Sequence, residues 1–160
     1  MGDTMRFEHL LQINDPLMPL LDPLSREQLW RGLARRVDDP KPFMPGLDGC
    51  VILEQRENYR KRELHFGALR FVDHVHLQPG SRIRYDSDLA DRHAGSSLVI
   101  TIEEPQPGAL WVRFVYQTVP ADASDAGPRY DEARRCAYKE SDIDTIRRIR
   151  EWAADGRLEA

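Results

Sequence analysis

The hydrophobic period of the chain shortens once, and that change outlines its architecture. From Val51 onward apolar residues return at every second position. Val51 and Leu53 alternate with Ile52 and Glu54, then Leu64 and Phe66 with Glu63 and His65. Phe71, Val75 and Leu77 follow, then Ile83 and Tyr85, then Leu98, Ile100 and Ile102, and last Leu110, Val112, Phe114 and Tyr116. A period of two belongs to strands whose successive side chains face opposite sides of a sheet. The stretch from Cys50 to Thr118 thus predicts six consecutive strands of about five to nine residues. Its joints carry turn chemistry: residues 58–61, 67–70 and 78–81, the polar loop from Asp88 to Gly95, and residues 103–108. None leaves room for a helix, so successive strands should pair as antiparallel neighbours.

The flanking segments follow other rules. Met5 to Ile13, with Phe7, Leu10, Leu11 and Ile13, predicts a lead-in strand in which the Leu10-Leu11 doublet breaks alternation, as at a bulge. Pro16, Pro19 and Pro23 then rule out regular structure, yet four apolar residues, Leu17, Met18, Leu20 and Leu21, are interleaved with them. So greasy a loop is a candidate pocket rim. Ser25-Arg26-Glu27-Gln28 is a capping box, and Leu29, Trp30, Leu33, Ala34 and Val37 follow at helical spacing until Asp39-Pro40. Residues 41–46 predict a bend carrying Phe43 and Met44 inward. After a linker over 120–128, Tyr130 to Trp152 is free of Gly and Pro. Ala133, Cys136, Ala137, Ile143, Ile146, Ile149, Trp152 and Ala153 recur there at three and four, predicting an amphipathic helix of roughly 35 Å ended by Gly156. Trp30 and Trp152 are assigned to helix packing.

Composition narrows the function classes. At 160 residues the expectation is one domain, 1–160, with a full core. A net charge of −4 argues against a nucleic-acid-binding face, and Arg147, Arg148 and Arg150 are assigned to a solvated helix face. No stretch is long and apolar enough to span a membrane, and residues 1–6 carry no apolar leader, so a cytoplasmic protein is expected. Cys50 and Cys136 lack metal or redox spacing; two free buried thiols are preferred over one long-range disulfide. No nucleotide, serine-hydrolase or zinc-protease motif occurs. No cofactor is expected, and the oligomeric state is open.

A strand, helical material, six antiparallel strands and a long final helix make an α+β order, β-α-β6-α. A curved seven-stranded sheet wrapped around the C-terminal helix covers the apolar side of both and leaves a cavity between them. This order resembles the helix-grip fold of the START-like and pollen-allergen-like (SRPBCC) superfamily. Residues 25–33, Asp39-Pro40, Phe43-Met44-Pro45-Gly46, Arg62 to Gly67, Ile102-Glu103-Glu104 and Leu110 to Tyr116 resemble the AtaL-like family within it. The resemblance implies a fold more than an activity. Members of the superfamily bind lipids, sterols, hormones or polyketides, and some are aromatase/cyclases. The AtaL name implies a secondary-metabolite setting.

Symmetric turns over 58–61 and 67–70 would set Leu53 opposite Phe66 and Leu64 opposite Asp73. Val51, Leu53, Leu64, Phe66, Phe71, Val75 and Leu77 would then share the inner face. Glu54, Arg56, Lys61, Glu63, His65, His74 and His76 would share the outer one, with Arg56 opposite Glu63. The His74-x-His76 pair is thereby assigned to solvent rather than to a metal. Asp73 is the anomaly of the inner row, with Arg62 one diagonal step away. It is the one candidate acid or base if it stands alone, and a structural or ligand-orienting pair if Arg62 holds it. Tyr85 joins this face if the Pro79-Gly80 loop is odd in length. The candidate ligand-lining set is Arg62, Leu64, Phe66, Phe71, Asp73, Tyr85, Ile100, Phe114 and Tyr116. The function expected is binding of a small, largely apolar molecule: a lipid, polyketide or aromatic metabolite. The alternatives are a polyketide cyclase or dehydratase-like enzyme using Asp73 with Tyr85 or Tyr116, and a partner-binding module with a collapsed cavity.

Overall fold

The computed structural model describes residues 5–15, 17–18, 22–88, 93–120 and 128–159. Its strands are β1 (Met5–Gln12), β2 (Gly49–Arg56), β3 (Tyr59–Phe66), β4 (Leu69–Gln78), β5 (Arg82–Asp88), β6 (His93–Gln106) and β7 (Ala109–Pro120). They form one curved, fully antiparallel seven-stranded sheet in the order β1-β7-β6-β5-β4-β3-β2. The lead-in strand closes one edge by pairing with the last. Helix α1 (Arg26–Asp38) and a 3-10 turn (Lys41–Phe43) precede β2, and α2 (Pro128–Ala154) ends the fold. The helix-grip expectation holds.

The helices start and stop where their ends can be satisfied. The Ser25 hydroxyl accepts from the Gln28 amide at 3.0 Å, and the Gln28 side chain accepts from the Ser25 amide at 2.9 Å. Helix α2 closes in a left-handed turn at Gly156, φ 74°, where Arg157 N–H reaches Trp152 O at 2.9 Å. The two helices meet at Gly32: a Cβ there would lie 2.6 Å from Ile149 Cγ1, so the contact requires a glycine. Leu29, Leu33, Val37, Phe43, Ile146, Ile149 and Trp152 are buried with the inner residues of the sheet, and Phe43 meets the Trp152 ring edge-on at 5.0 Å.

Several expectations are corrected by the register. The turns after β2 and β3 hold two residues rather than four, because Tyr59 and Arg60 belong to β3 and Leu69 and Arg70 to β4. Tyr59 is a good strand former, whereas Glu57-Asn58 suits a turn. The register of β2 then shifts between Ile52 and Glu54. Val51 and Leu53 are therefore exposed outward, while Cys50 and Ile52, opposite Leu64 and Arg62, face inward. Arg56 sits opposite Tyr59, not Glu63, and pairs with Glu54 at 2.6 Å. Arg62 stands directly opposite Asp73, not diagonal to it. Strand β1 runs beside β7 without a break, so no bulge marks Leu10-Leu11. Strands β4, β6 and β7 have 10, 14 and 12 residues, longer than expected, since their turns are tighter.

Other assignments stand. The loop after β4 has three residues, 79–81, which puts Tyr85 opposite Val75 on the inner face. His65, His74 and His76 lie on the outer face: His65 Nε2 is 2.7 Å from Glu63, and the Tyr59 hydroxyl is 2.6 Å from His74 Nδ1. Cys50 and Cys136 are free thiols, but neither is buried as expected: Cys50 is half-buried and Cys136 exposed. Leu17 and Met18 are exposed on the proline loop, while Pro16, Pro19, Leu20 and Leu21 lie outside the described residues. The Asn14 side chain clamps the loop's neck, donating to Leu24 O at 2.7 Å and accepting from Leu24 N at 2.9 Å. No helix among the described residues is long and apolar enough to cross a membrane.

Candidate functional site

The register carries inner positions across the whole sheet: Leu64 beside Phe71, Arg62 beside Asp73, Val75 beside Tyr85, Leu98 beside Tyr116, Ile100 beside Phe114. All nine residues of the sequence-predicted lining therefore face inward. Arg62, Leu64, Asp73, Tyr85, Ile100 and Phe114 are buried, whereas Phe66, Phe71 and Tyr116 are only partly covered. Leu69, opposite Phe66, is exposed although it also faces inward. The interior is thus more open at the β3–β4 turn than at the centre.

Asp73 does not stand alone. Arg62 Nε and Nη2 donate to its two oxygens at 2.9 and 2.6 Å, and Arg62 Nη1 donates to Val37 O at 2.7 Å. A two-point guanidinium–carboxylate fork fixes the geometry of both partners. The fork ties the β3–β4 pair to the end of α1. Of the two arrangements the sequence left open, the structure has the paired one: both Asp73 oxygens are engaged by Arg62.

The chemically unusual carboxyl is on α2. Asp142 is 1% exposed. One of its oxygens accepts the Tyr116 hydroxyl, and the other lies 3.1 Å from His9 Nδ1. An ionised carboxylate only accepts, so that contact places the imidazole proton on Nδ1. Tyr138, one turn earlier on α2, stacks on Tyr116 with centroids 3.9 Å apart and planes 4° apart. Phe7 of β1 borders both rings at 6.2 and 6.1 Å. Burial raises the Asp142 pKa from 3.8 to about 6, against the lowering effect of Tyr116, His9 and the Arg36 charge. Burial, and then the neighbouring Asp142 charge, push the Tyr116 hydroxyl well above its ordinary range. A carboxyl poised near neutral pH, hydrogen-bonded to a phenol and an imidazole, has the attributes of a general acid or base.

A second polar centre lies between α1 and β5. The guanidiniums of Arg36 and Arg62 lie 5.2 and 5.3 Å from the Tyr85 ring centroid. Arg36 is buried, and among the described residues neither its Nε nor the Tyr85 hydroxyl has a hydrogen-bond partner.

Four of these residues were not anticipated: His9, Arg36, Tyr138 and Asp142. The expected α2 stripe ran through Cys136, Ala137 and Ile143, which are exposed. Stepping back from Ile149 in helical turns lands instead on Thr145, Asp142 and Tyr138, and the first two are buried. Arg36 sits between Leu33 and Val37 on the buried face of α1 by the same periodicity. His9 alternates with Phe7 and Leu11 in β1, opposite Phe114.

Two concavities of about 310 Å³ are lined by described residues. One is on the outer face near His76, Arg82 and Arg84; the other runs between Pro42-Pro45 and the exposed side of α2. Neither holds the Asp142 or Arg36 centres.

A family model described as AtaL, acetylaranotin biosynthesis cluster protein L, matches residues 11–156. A search of curated protein sequences gives no match. Among solved structures, the di-domain ARO/CYC StfQ of the steffimycin biosynthetic pathway superposes with TM-score 0.71 at 13% identity, over 95% of this chain and 52% of that one. The chain thus spans about half of StfQ. The Zhui aromatase/cyclase from a Streptomyces species gives TM-score 0.67 at 17% identity, over 99% of this chain and 98% of that one. Ara h 8.0201 gives 0.65 at 11%, over 96% and 99%. At such identities these likenesses establish the fold alone.

Proposed function

The chain belongs to the AtaL family, and from that premise we propose that it binds a small, largely apolar molecule between the curved sheet and α2. One observation carries the proposal: the inner face joins an apolar wall to ionisable groups that are buried yet incompletely partnered. Leu64, Ile100, Phe114 and Tyr116 supply the wall, and Phe66, Leu69 and Phe71 mark the open end. Arg36 and Tyr85 carry polar atoms with no hydrogen-bond partner among the described residues. Native proteins rarely leave such atoms dry, because each costs about 1–3 kcal/mol. A ligand with an apolar body and a polar end would satisfy both features. On this reading residues 1–160 act as one domain. The free thiols of Cys50 and Cys136 are in keeping with a reducing cytoplasm.

Native mass spectrometry of protein purified from its own cells tests the proposal. A retained small molecule, displaced when Phe114→Trp fills the wall, is the expected result. Ligand-free protein that also takes up no apolar fluorophore would refute it.

A second reading, conversion of the ligand, is favoured by the Asp142 environment. The AtaL family is named for an acetylaranotin biosynthesis cluster, StfQ belongs to the steffimycin biosynthetic pathway, and Zhui is an aromatase/cyclase. If this chain is a catalyst, its proton-transfer group is Asp142 with Tyr116 and His9, and Asp73 has a structural part. A turnover profile with an inflection near pH 6 that Asp142→Asn removes would support it. An undiminished rate in that variant would end it.

A further inference from the structure

The ligand proposed above has an unassigned polar end, and the geometry points to an anion. We propose that Arg36 and Tyr85 form an oxyanion-binding subsite inside the grip, and that the ligand is an aromatic or otherwise apolar acid whose carboxylate docks there. This inference rests on the interior-site reading and names its ligand class.

Arg36 is 7% exposed and Tyr85 is 5% exposed, so both polar groups are more than nine-tenths withdrawn from water. Among the described residues, neither Arg36 Nε nor the Tyr85 hydroxyl has a hydrogen-bond partner. The Arg36 guanidinium carbon lies 5.2 Å from the Tyr85 ring, and its charge is felt at Asp142 and Tyr116. The two buried acids nearby are already engaged. Asp73 is held at both oxygens by Arg62. Asp142 is occupied at one oxygen by Tyr116 and at the other by His9. A cation in a largely dry interior favours a nearby counter-charge, and the buried Nε of Arg36 needs an acceptor. A carboxylate supplies both, and its second oxygen can accept the Tyr85 hydroxyl. A neutral carbonyl would meet the donors but leave the charge uncompensated. The apolar residues flanking Tyr85 on the neighbouring strands, Val75 and Leu98, suit the body of such an acid rather than inorganic phosphate.

The test compares naphthalene-2-carboxylate with its neutral isostere naphthalene-2-carboxamide, titrated calorimetrically into the intact protein at pH 7.5. The carboxylate should bind about tenfold or more tightly, the usual scale for hydrogen bonds to a charged group. In Arg36→Gln that preference should collapse to within about twofold, and Tyr85→Phe, which keeps the ring and the packing, should reduce it severalfold. Equal affinities in the wild type would overturn the anion assignment while leaving the interior site intact. A preference undiminished in both variants would move the subsite elsewhere. Binding of neither compound would overturn the interior-site reading and this inference with it. Should Arg36→Gln not fold, Tyr85→Phe and the wild-type comparison still decide.

Discussion

Asp142 provides the sharpest test of the interior described above. Its carboxyl titrates near 3.8 in the unfolded chain and about 6 in the folded one, with burial as the main cause. The folded state therefore binds this proton more tightly than the unfolded state. By linkage, the stability it contributes is fully present below pH 3.8 and is lost as pH rises through about 6. At 1.36 kcal/mol per pH unit, the difference amounts to about 3 kcal/mol between the two limits. Asparagine mimics the protonated acid in shape and still accepts from Tyr116. Asp142→Asn should accordingly match the wild type near pH 4 and exceed it by about 2–3 kcal/mol at pH 8. Other carboxylates bend both curves: Glu8 and Glu104, held low by Arg113 and by the Gly108 amide, lose stability as pH falls. The quantity to measure is thus the difference between variant and wild type, from urea unfolding at half-unit intervals between pH 4 and 8. A difference that stays flat across that range, or a variant weaker at pH 8, would show that Asp142 is not desolvated as described. Carboxyl carbon NMR of the wild type should give the same midpoint near 6.

The remaining expectations concern the frame around it. Removing one partner of the buried fork, as in Arg62→Met or Asp73→Leu, should cost about 3–5 kcal/mol in chemical denaturation, while the double variant should recover much of the loss. Additive costs would mean that the two do not act as a pair. Gly32→Ala should lower stability by about 1–3 kcal/mol by forcing Ile149 off α1, and should cost less in an Ile149→Ala background, where the crowding Cγ atoms are gone. Ser25→Ala should cost about 1 kcal/mol through the lost cap, with unfolding cooperativity unchanged.

How much of this was legible beforehand depends on what each signal measures. Strand order and helix spans follow from periodicity and turn residues, and these were read correctly from Cys50 to Thr118. Inner and outer faces of β3 to β7 follow from the same parity. Strand β2 failed because parity survives only until a bulge. The shift between Ile52 and Glu54 inverts Val51 and Leu53 without leaving any mark in the alternation. The helices failed differently. An apolar stripe is a good guide to the part of a helix packed on a dry core, and Ile146, Ile149 and Trp152 obey it. Toward its N-terminus α2 leaves that core and meets β1 and β7, where Tyr138 and Asp142 take the inward places. Hydrophobicity assigns such residues to solvent, so a polar interior is hidden from any search for apolar faces.

Two aspartates share this interior, and their difference decides what the site can do. Asp73 is matched by a buried guanidinium at 2.6 and 2.9 Å, so its charge is compensated where it forms. Asp142 is held by a phenol and an imidazole, and the Arg36 guanidinium also lowers its pKa from a distance. That cation is the same group whose Nε lacks a partner among the described residues. An acid arriving at Arg36 would offset the field Asp142 now feels and shift its proton affinity upward. Binding at one end of the interior and protonation at the other are thus linked through a single guanidinium. Proton uptake on binding naphthalene-2-carboxylate, greatest just above pH 6 and absent in Asp142→Asn, is the observable that linkage requires. Calorimetry in two buffers of different ionisation heat measures it directly. Uptake of equal size in Asp142→Asn would assign the proton to another group and break the connection between the two centres.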